Sequence, residues 1–242
     1  MEKDAYARLL NRIIEYRNQN HISQKTMGEY MGITQSHYNK VESGKKIVSY
    51  SALLNLKEHK FDIDYIVTGV RYKESILNHY LRGCRPQVQS DMLAHIIWVI
   101  KQGVRITNTK MPDKKVDYNN VMAFLQMRAN DVAKEETVWK SVRKLDGRTQ
   151  NEMAEELNVG IKKYRNIENG NAQPDAQILS ELYDKLGYFP SILMPEYTVN
   201  LSYINDIWAG FDEELKGELI KHIRDGYDLV NKRSRGNPAY GR

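Results

Sequence analysis

The chain has 242 residues, 41% hydrophobic and 28% charged, the composition of a folded protein of one large or two ordinary domains, which excludes an intrinsically disordered one. Its net charge of +5 permits a nucleic-acid partner without requiring it, and its single cysteine, Cys84, excludes an internal disulfide and suits a core position better than a nucleophile's. The longest apolar run, around "IIWV", is too short for a bilayer and the start "MEKDAYARLL" lacks the apolar core of a signal peptide, so no membrane partner and a cytoplasmic location are expected.

Leu9, Leu10, Ile13 and Ile14 share one face of an opening helix. The stretch "SQKTMGEYMGITQSHYNKVESG", Ser23 to Gly44, then begins a helix at a capping serine, stops at Gly32 and restarts at Thr34. Two short segments follow, "SYSALLNL" and "FDIDYIVTG". A helical hairpin is predicted over Lys73–Gly103, with Val88, Met92, Leu93, Ile96, Ile97 and Ile100 on one face of its second arm. "RITNTKMPDKKVDYNN", Arg105 to Asn120, breaks the pattern with a proline and a polar cluster and is the expected linker. "TQNEMAEELNVGIKKYRNIENG", Thr149 to Gly170, repeats the stop and restart. A second hairpin is predicted over Ser202–Asn231, where Phe211 and Asp212 form an apolar staple and a cap before "EELKGELIKHI". The tail "KRSRGNPAYGR" lacks periodicity and is expected to be mobile. No alternating run of strand length competes, so the expected fold class is all-α.

The two stop-and-restart stretches are one motif used twice. An offset of 126 pairs Arg17 with Arg143, Gln24 with Gln150, Met27 with Met153, Tyr38 with Tyr164, Glu42 with Glu168, Gly44 with Gly170 and Leu56 with Leu182, without a gap. With one residue inserted, an offset of 127 pairs Gly83 with Gly210, Met92 with Leu219, His95 with His222 and Ile96 with Ile223. The chain therefore reads as a duplicated unit, each copy a helical head followed by a helical hairpin whose apolar stripe is expected to pack on its own head. The resulting divisions are 1–70, 71–104, 105–134 (linker and lead-in helix), 135–197, 198–232 and 233–242.

Ser23 and Thr149 can each cap a helix, and Glu152 completes a capping box in the second copy. Met27, Met31 and Val41, with Met153, Leu157 and Ile167, are the inward residues, and Gly32 or Asn158 can take the left-handed conformation that ends the first short helix. The restart lets a second short helix cross the first and project outward, where it fits a DNA major groove about 12 Å wide. The pattern from Arg17 through Gly44, with the two segments after it, resembles the Xre family of five-helix DNA-binding domains, the class of Cro and the lambda-type phage repressors, present twice in tandem.

The resemblance implies roles for single residues. Gln24 resembles the family glutamine that bonds a DNA phosphate; Thr34, Gln35, Ser36 and Lys40 fall at base-facing and groove-edge positions. Their chemistry agrees, since Gln can bond adenine N6 and N7 and Lys can donate to guanine O6 and N7. Asn39, Lys45 and Lys46 are placed for phosphates, adding salt-dependent affinity but little sequence preference. Arg17 with Glu42, and Arg143 with Glu168, resemble the family's internal ion pair and are structural. The second head departs from the pattern: Gly160 stands at the cap, Ile161 replaces Gln35 and Asn166 replaces Lys40. Lys162, Lys163 and Arg165, with Gln150, favour phosphate, yet residues 135–197 carry a net charge of −3 against +2 for 1–70 and +6 for 71–134. Ile161 can meet a thymine methyl and Asn166 an adenine; equally, this face can meet a protein.

Catalysis is not expected. His21, His37, His59, His79, His95 and His222 form no HExxH or Cys-His metal pattern, and there is no Gly-rich phosphate loop and no GxSxG, so no metal and no cofactor are expected. His37 lies on the restarting helix, a DNA or solvent position, and His95 and His222 suit hairpin packing. The expected function is a sequence-specific DNA-binding transcription regulator, a repressor, acting on double-stranded DNA at the bacterial nucleoid. It would work either as a homodimer or as an intramolecular pseudo-dimer of its two heads. The alternative is an antitoxin-like or protein-interaction regulator whose second head or hairpins hold a partner. No 34-residue repeats follow the heads, which argues against a peptide-sensor architecture.

Overall fold

The computed structural model describes residues 4–71, 73–84, 86–107, 137–194 and 201–236, and among them every regular element is helical. Five helices make the first head: α1 (Ala5–Gln19), α2 (Gln24–Tyr30), α3 (Gln35–Glu42), α4 (Tyr50–Glu58) and α5 (Ile63–Thr68). The first hairpin is α6 (Asn78–Arg82) and α7 (Pro86–Thr107). The second head has α8 (Val138–Leu145), α9 (Gln150–Glu156), α10 (Ile161–Glu168), α11 (Ala176–Leu186) and α12 (Pro190–Leu193). A 3₁₀ turn (Ser202–Ile204), α13 (Asn205–Ala209) and α14 (Glu213–Gly236) form the second hairpin. By contacts the chain divides into two compact units, Met1–Arg71 with Gly147–Thr198, and Tyr72–Asp146 with Val199–Arg242. Like joins like: one unit holds both stop-and-restart motifs, the other both hairpins together with α8, the helix that leads into the second motif.

In the first unit the helix starts follow from local chemistry. Ser23, Thr34, Ser49 and Asp62 each accept the N–H of the third residue on, and Thr149 with Glu152 makes the reciprocal capping box. Gly32 (φ 67°) and Asn158 (φ 51°) turn the chain between the paired short helices. Met27, Met31, Tyr38 and Val41, and Met153, Leu157, Tyr164 and Ile167, are buried beneath them. Arg12 of α1 donates to the carbonyls of Ile66 (2.8 Å) and Val67 (2.6 Å), satisfying the open C-terminal end of α5.

The heads are joined. Helix α5 packs on α11 and α12, and α1 packs along α11, where Arg8 pairs with Asp184 at 2.6 Å. The Ser191 N–H donates to an Asp64 carboxylate oxygen (2.9 Å), and the Ala176 N–H donates to the Val48 carbonyl (3.0 Å). Helix α5 thus meets α12, its own counterpart in the repeat, and the start of α11 lies against the loop that leads into α4. Contacts between counterparts are the mark of a two-fold arrangement. A cavity of about 430 Å³ sits at this joint, between Ser49, Tyr50, Ser51 and Leu54 on one side and Gln173, Pro174 and Asp175 on the other.

In the second unit α7 and α14 lie side by side. The expectation that each hairpin packs on its own head is corrected here: an amphipathic stripe demands a partner but does not specify which, and the two stripes cover each other. Val88, Met92, Leu93, Ile96, Ile97 and Ile100 meet a face with Leu215, Leu219 and Ile223, all buried. Counterparts again touch, His95 Nε2 lying 2.9 Å from the His222 carbonyl and the Ser75 N–H donating to Ser202 Oγ at 3.1 Å. Gly226 lets the helices approach, since the His95 ring occupies the space a Cβ would take. Cys84 is buried, its thiol against the Tyr80 carbonyl. Phe211 is buried and Asp212 accepts from the Leu215 N–H, as staple and cap require. Two boundaries shift: α7 continues through Thr107, past the expected linker start at 105, and α14 through Gly236, into the expected tail. The rest of the linker, 108–134, and the tail beyond 236 lie outside the described residues.

Candidate nucleic-acid interface

Helix α3 crosses α2 and divides into two faces. Tyr38 and Val41 are buried, while Gln35, Ser36, Asn39 and Lys40 are exposed, together with the cap residue Thr34. The Thr34 hydroxyl accepts from the His37 N–H, so it holds the helix start while standing at the edge of the exposed face. His37 is half-buried. The projecting row is therefore amides, a hydroxyl and an ammonium, the groups that read base edges. Lys45 and Lys46 are exposed in the next loop, whose backbone is anchored: both N–H groups return to the Lys40 carbonyl, and Tyr6 Oη donates to Lys46 O and accepts from Val48 N–H.

Beneath the helix lies a polar hub. The Glu42 carboxylate accepts from Arg17 Nε (2.6 Å), Tyr38 Oη (3.1 Å) and the Gln24 amide, and Arg17 also donates to the Ile22 carbonyl. Arg17 and Glu42 expose only 16% and 13% of their side chains, so the pair is largely withdrawn from solvent. Burial, and then the Glu42 charge, push the Tyr38 phenol well up from its ordinary value, so it remains a donor. Gln24, expected on a phosphate, has one amide hydrogen on Glu42, and the second remains for an outside acceptor.

The second head repeats the scaffold with different surface chemistry. Glu168 is buried and accepts from Gln150 Nε2 (3.0 Å), as Glu42 does from Gln24. Arg143 is half-buried on α8. Lys162, Lys163, Arg165 and Asn166 are exposed on α10, with Ile161 half-buried at its start and Gly160 supplying no side-chain cap. Two of these cations have partners within the chain: Lys163 pairs with Asp175 (2.7 Å), and Arg165 Nε donates to Gln150 Oε1 (3.1 Å). On α9, Glu152 and Glu155 are exposed and Glu156 pairs with Arg148 at 3.0 Å, around a groove of about 350 Å³ that also includes Lys185. The Thr149 N–H holds the Glu152 carboxyl below its ordinary value.

Sequence reasoning missed the residues that place this surface. Tyr6 sits 40 residues from the loop it anchors, and Asp64 binds Ser191 across 127 residues. Tyr6 lies outside the repeated motif, and Asp64, although within "FDIDYIVTG", has no local signal that marks its distant partner. Among the described residues no group of three or more His, Cys, Asp or Glu could hold a metal ion, and no helix is long and apolar enough to cross a membrane.

The family model described as helix-turn-helix matches the chain at two places, residues 13–56 and 140–189. Neither a search of curated proteins nor one of solved structures found a match. The matched segments span the two pairs of short helices with Glu42 and Glu168, a pairing of short helices typical of DNA-binding transcription regulators. The chain accordingly carries two Xre-type, lambda-repressor-like helix-turn-helix domains in tandem.

Proposed function

We propose that the protein is a sequence-specific DNA-binding repressor whose two heads act as an intramolecular pseudo-dimer, α3 and α10 each entering the major groove of one half-site. The observation that carries this reading is the exposed row Gln35, Ser36, Asn39 and Lys40, held on a part-buried polar hub, in a unit that also contains the second reading helix. Thr34, Gln35, Ser36 and Lys40 read base edges; Gln24, Asn39, Lys45 and Lys46 hold phosphates. Because Ile161, Lys162 and Asn166 stand where the first head has Gln35, Ser36 and Lys40, the half-sites should differ in sequence. Their spacing should be fixed near one helical turn, about 34 Å.

The test is selection from a random duplex library with the full chain, followed by light scattering of the complex. The expected result is an unequal two-part motif at one spacing, bound by one chain, its halves damaged separately by Gln35→Ala and by Lys162→Ala/Lys163→Ala. Two chains per duplex would favour a homodimer, and no enrichment would overturn the reading. A second reading has its own support: the Lys163–Asp175 pair and the acidic groove beside α9 suit a head that binds a protein partner, as in an antitoxin. A single motif sensitive only to Gln35→Ala would select it.

A further inference from the structure

The two heads use the same glutamine differently. In the first, Gln24 reaches the Glu42 carboxylate, and the surface position beside it holds the uncharged Asn39. In the second, that position holds Arg165, and Gln150 lies between two charged groups: Nε2 donates to the buried Glu168 carboxylate and Oε1 accepts from Arg165 Nε. The buried carboxylate sets the amide's orientation, because only the NH₂ end can face it; the carbonyl end must then face α10. Arg165 is exposed, and with its Nε engaged inward the paired Nη groups are left to meet a phosphate end-on. Lys163 is bound to a carboxylate that offsets its charge, whereas Arg165 leans on a neutral amide and keeps its full attraction for an anion.

From this relay we propose that Arg165 is the phosphate-binding residue of the second head and Gln150 its positioning residue. The backbone contact the first head makes through Gln24 has moved to an arginine in the second. The assignment rests on the reading that the second head meets DNA. It adds one counterion to those released at the second half-site, since a guanidinium releases a counterion where a neutral amide does not.

The experiment uses the full chain and the duplex that the wild type selects, with dissociation constants over a salt series and footprints for the wild type, Arg165→Ala, Gln150→Ala and the double variant. Arg165 is exposed, so its alanine variant should fold, and thermal unfolding checks each protein. Arg165→Ala should weaken binding roughly 10- to 100-fold near 0.1 M salt and lower the salt slope by about one. Gln150→Ala should weaken the wild type but leave Arg165→Ala unchanged, because it acts through the arginine. Additive losses would overturn the positioning role. An unchanged slope in Arg165→Ala, with the second half-site still protected, would overturn the phosphate role and leave the DNA reading standing. A wild type that protects only one half-site would remove both.

Discussion

Removing the carboxylate at the centre of the first head should unfold that head without touching the hairpins. Glu42→Ala leaves the Arg17 guanidinium, 16% exposed, with the Ile22 carbonyl at 3.1 Å in place of the 2.6 Å ion pair, and strips Gln24 and Tyr38 of an acceptor. Losing one partner of a buried pair costs about 3 to 5 kcal/mol; the residual exposure of both groups places this case near the lower end, about 3 kcal/mol. Arg17→Ala should cost less, because the carboxylate left behind keeps two donors. The double variant should cost well under the sum, with a coupling energy of about 2 kcal/mol. The three tryptophans, Trp98, Trp139 and Trp208, all belong to the hairpin unit, so two probes separate the units. Under urea, tryptophan fluorescence should be unchanged in Glu42→Ala, while far-ultraviolet dichroism acquires an earlier transition and the α3 amides lose exchange protection. A loss below about 1 kcal/mol, or full additivity with Arg17→Ala, would show that the hub is not a buried ion pair. Loss of DNA binding in this variant would then report unfolding, not a missing contact.

Three further outcomes are expected. Gln35→Ala should cost about 1 to 3 kcal/mol of binding and relax preference at one base position, measured by repeating the selection; an unchanged selected sequence would refute base reading by Gln35. Lys45→Ala and Lys46→Ala should each weaken all sequences alike and lower the salt slope by about one, and a sequence-selective loss would contradict their assignment to phosphates. Burial pushes the Asp64 carboxyl up to about 6, so its neutral form is favoured in the folded protein; stability is full below the ordinary value of 3.8 and is lost as pH rises towards 6. Asp64→Asn keeps an acceptor for the Ser191 N–H, so it should flatten that fall and stabilise the head unit at pH 7 by up to about 3 kcal/mol, read from denaturant unfolding at pH 4 and pH 7.

The helix pairs and their caps were legible in the sequence because they depend on neighbours. A hydroxyl three residues before an open N–H, a glycine or asparagine where φ must be positive, and methionines at helical spacing are local conditions, and Ser23, Thr34, Gly32, Asn158, Met27 and Met153 meet them. The arginine–glutamate pairing came from the family resemblance, and the duplication repeats it in register at Arg143 and Glu168; that Gln24 and Gln150 turn inward to those carboxylates was not legible, since the glutamine was expected on a phosphate. Tertiary structure decided what the repeat leaves open. A hydrophobic stripe states that a helix must bury one face but not against which other stripe, and two copies of one hairpin are as complementary to each other as to the heads; α7 with α14 is the outcome. Likewise Lys163 and Arg165 read alike in sequence as surface cations, and only folding brought Asp175 to one and the Gln150 carbonyl to the other, leaving different amounts of charge for a partner. Contacts set by the 3.6-residue period and by capping are encoded within a few residues, whereas those between α5 and α12, or Asp64 and Ser191, depend on bringing together chain segments 127 residues apart, for which no local pattern exists.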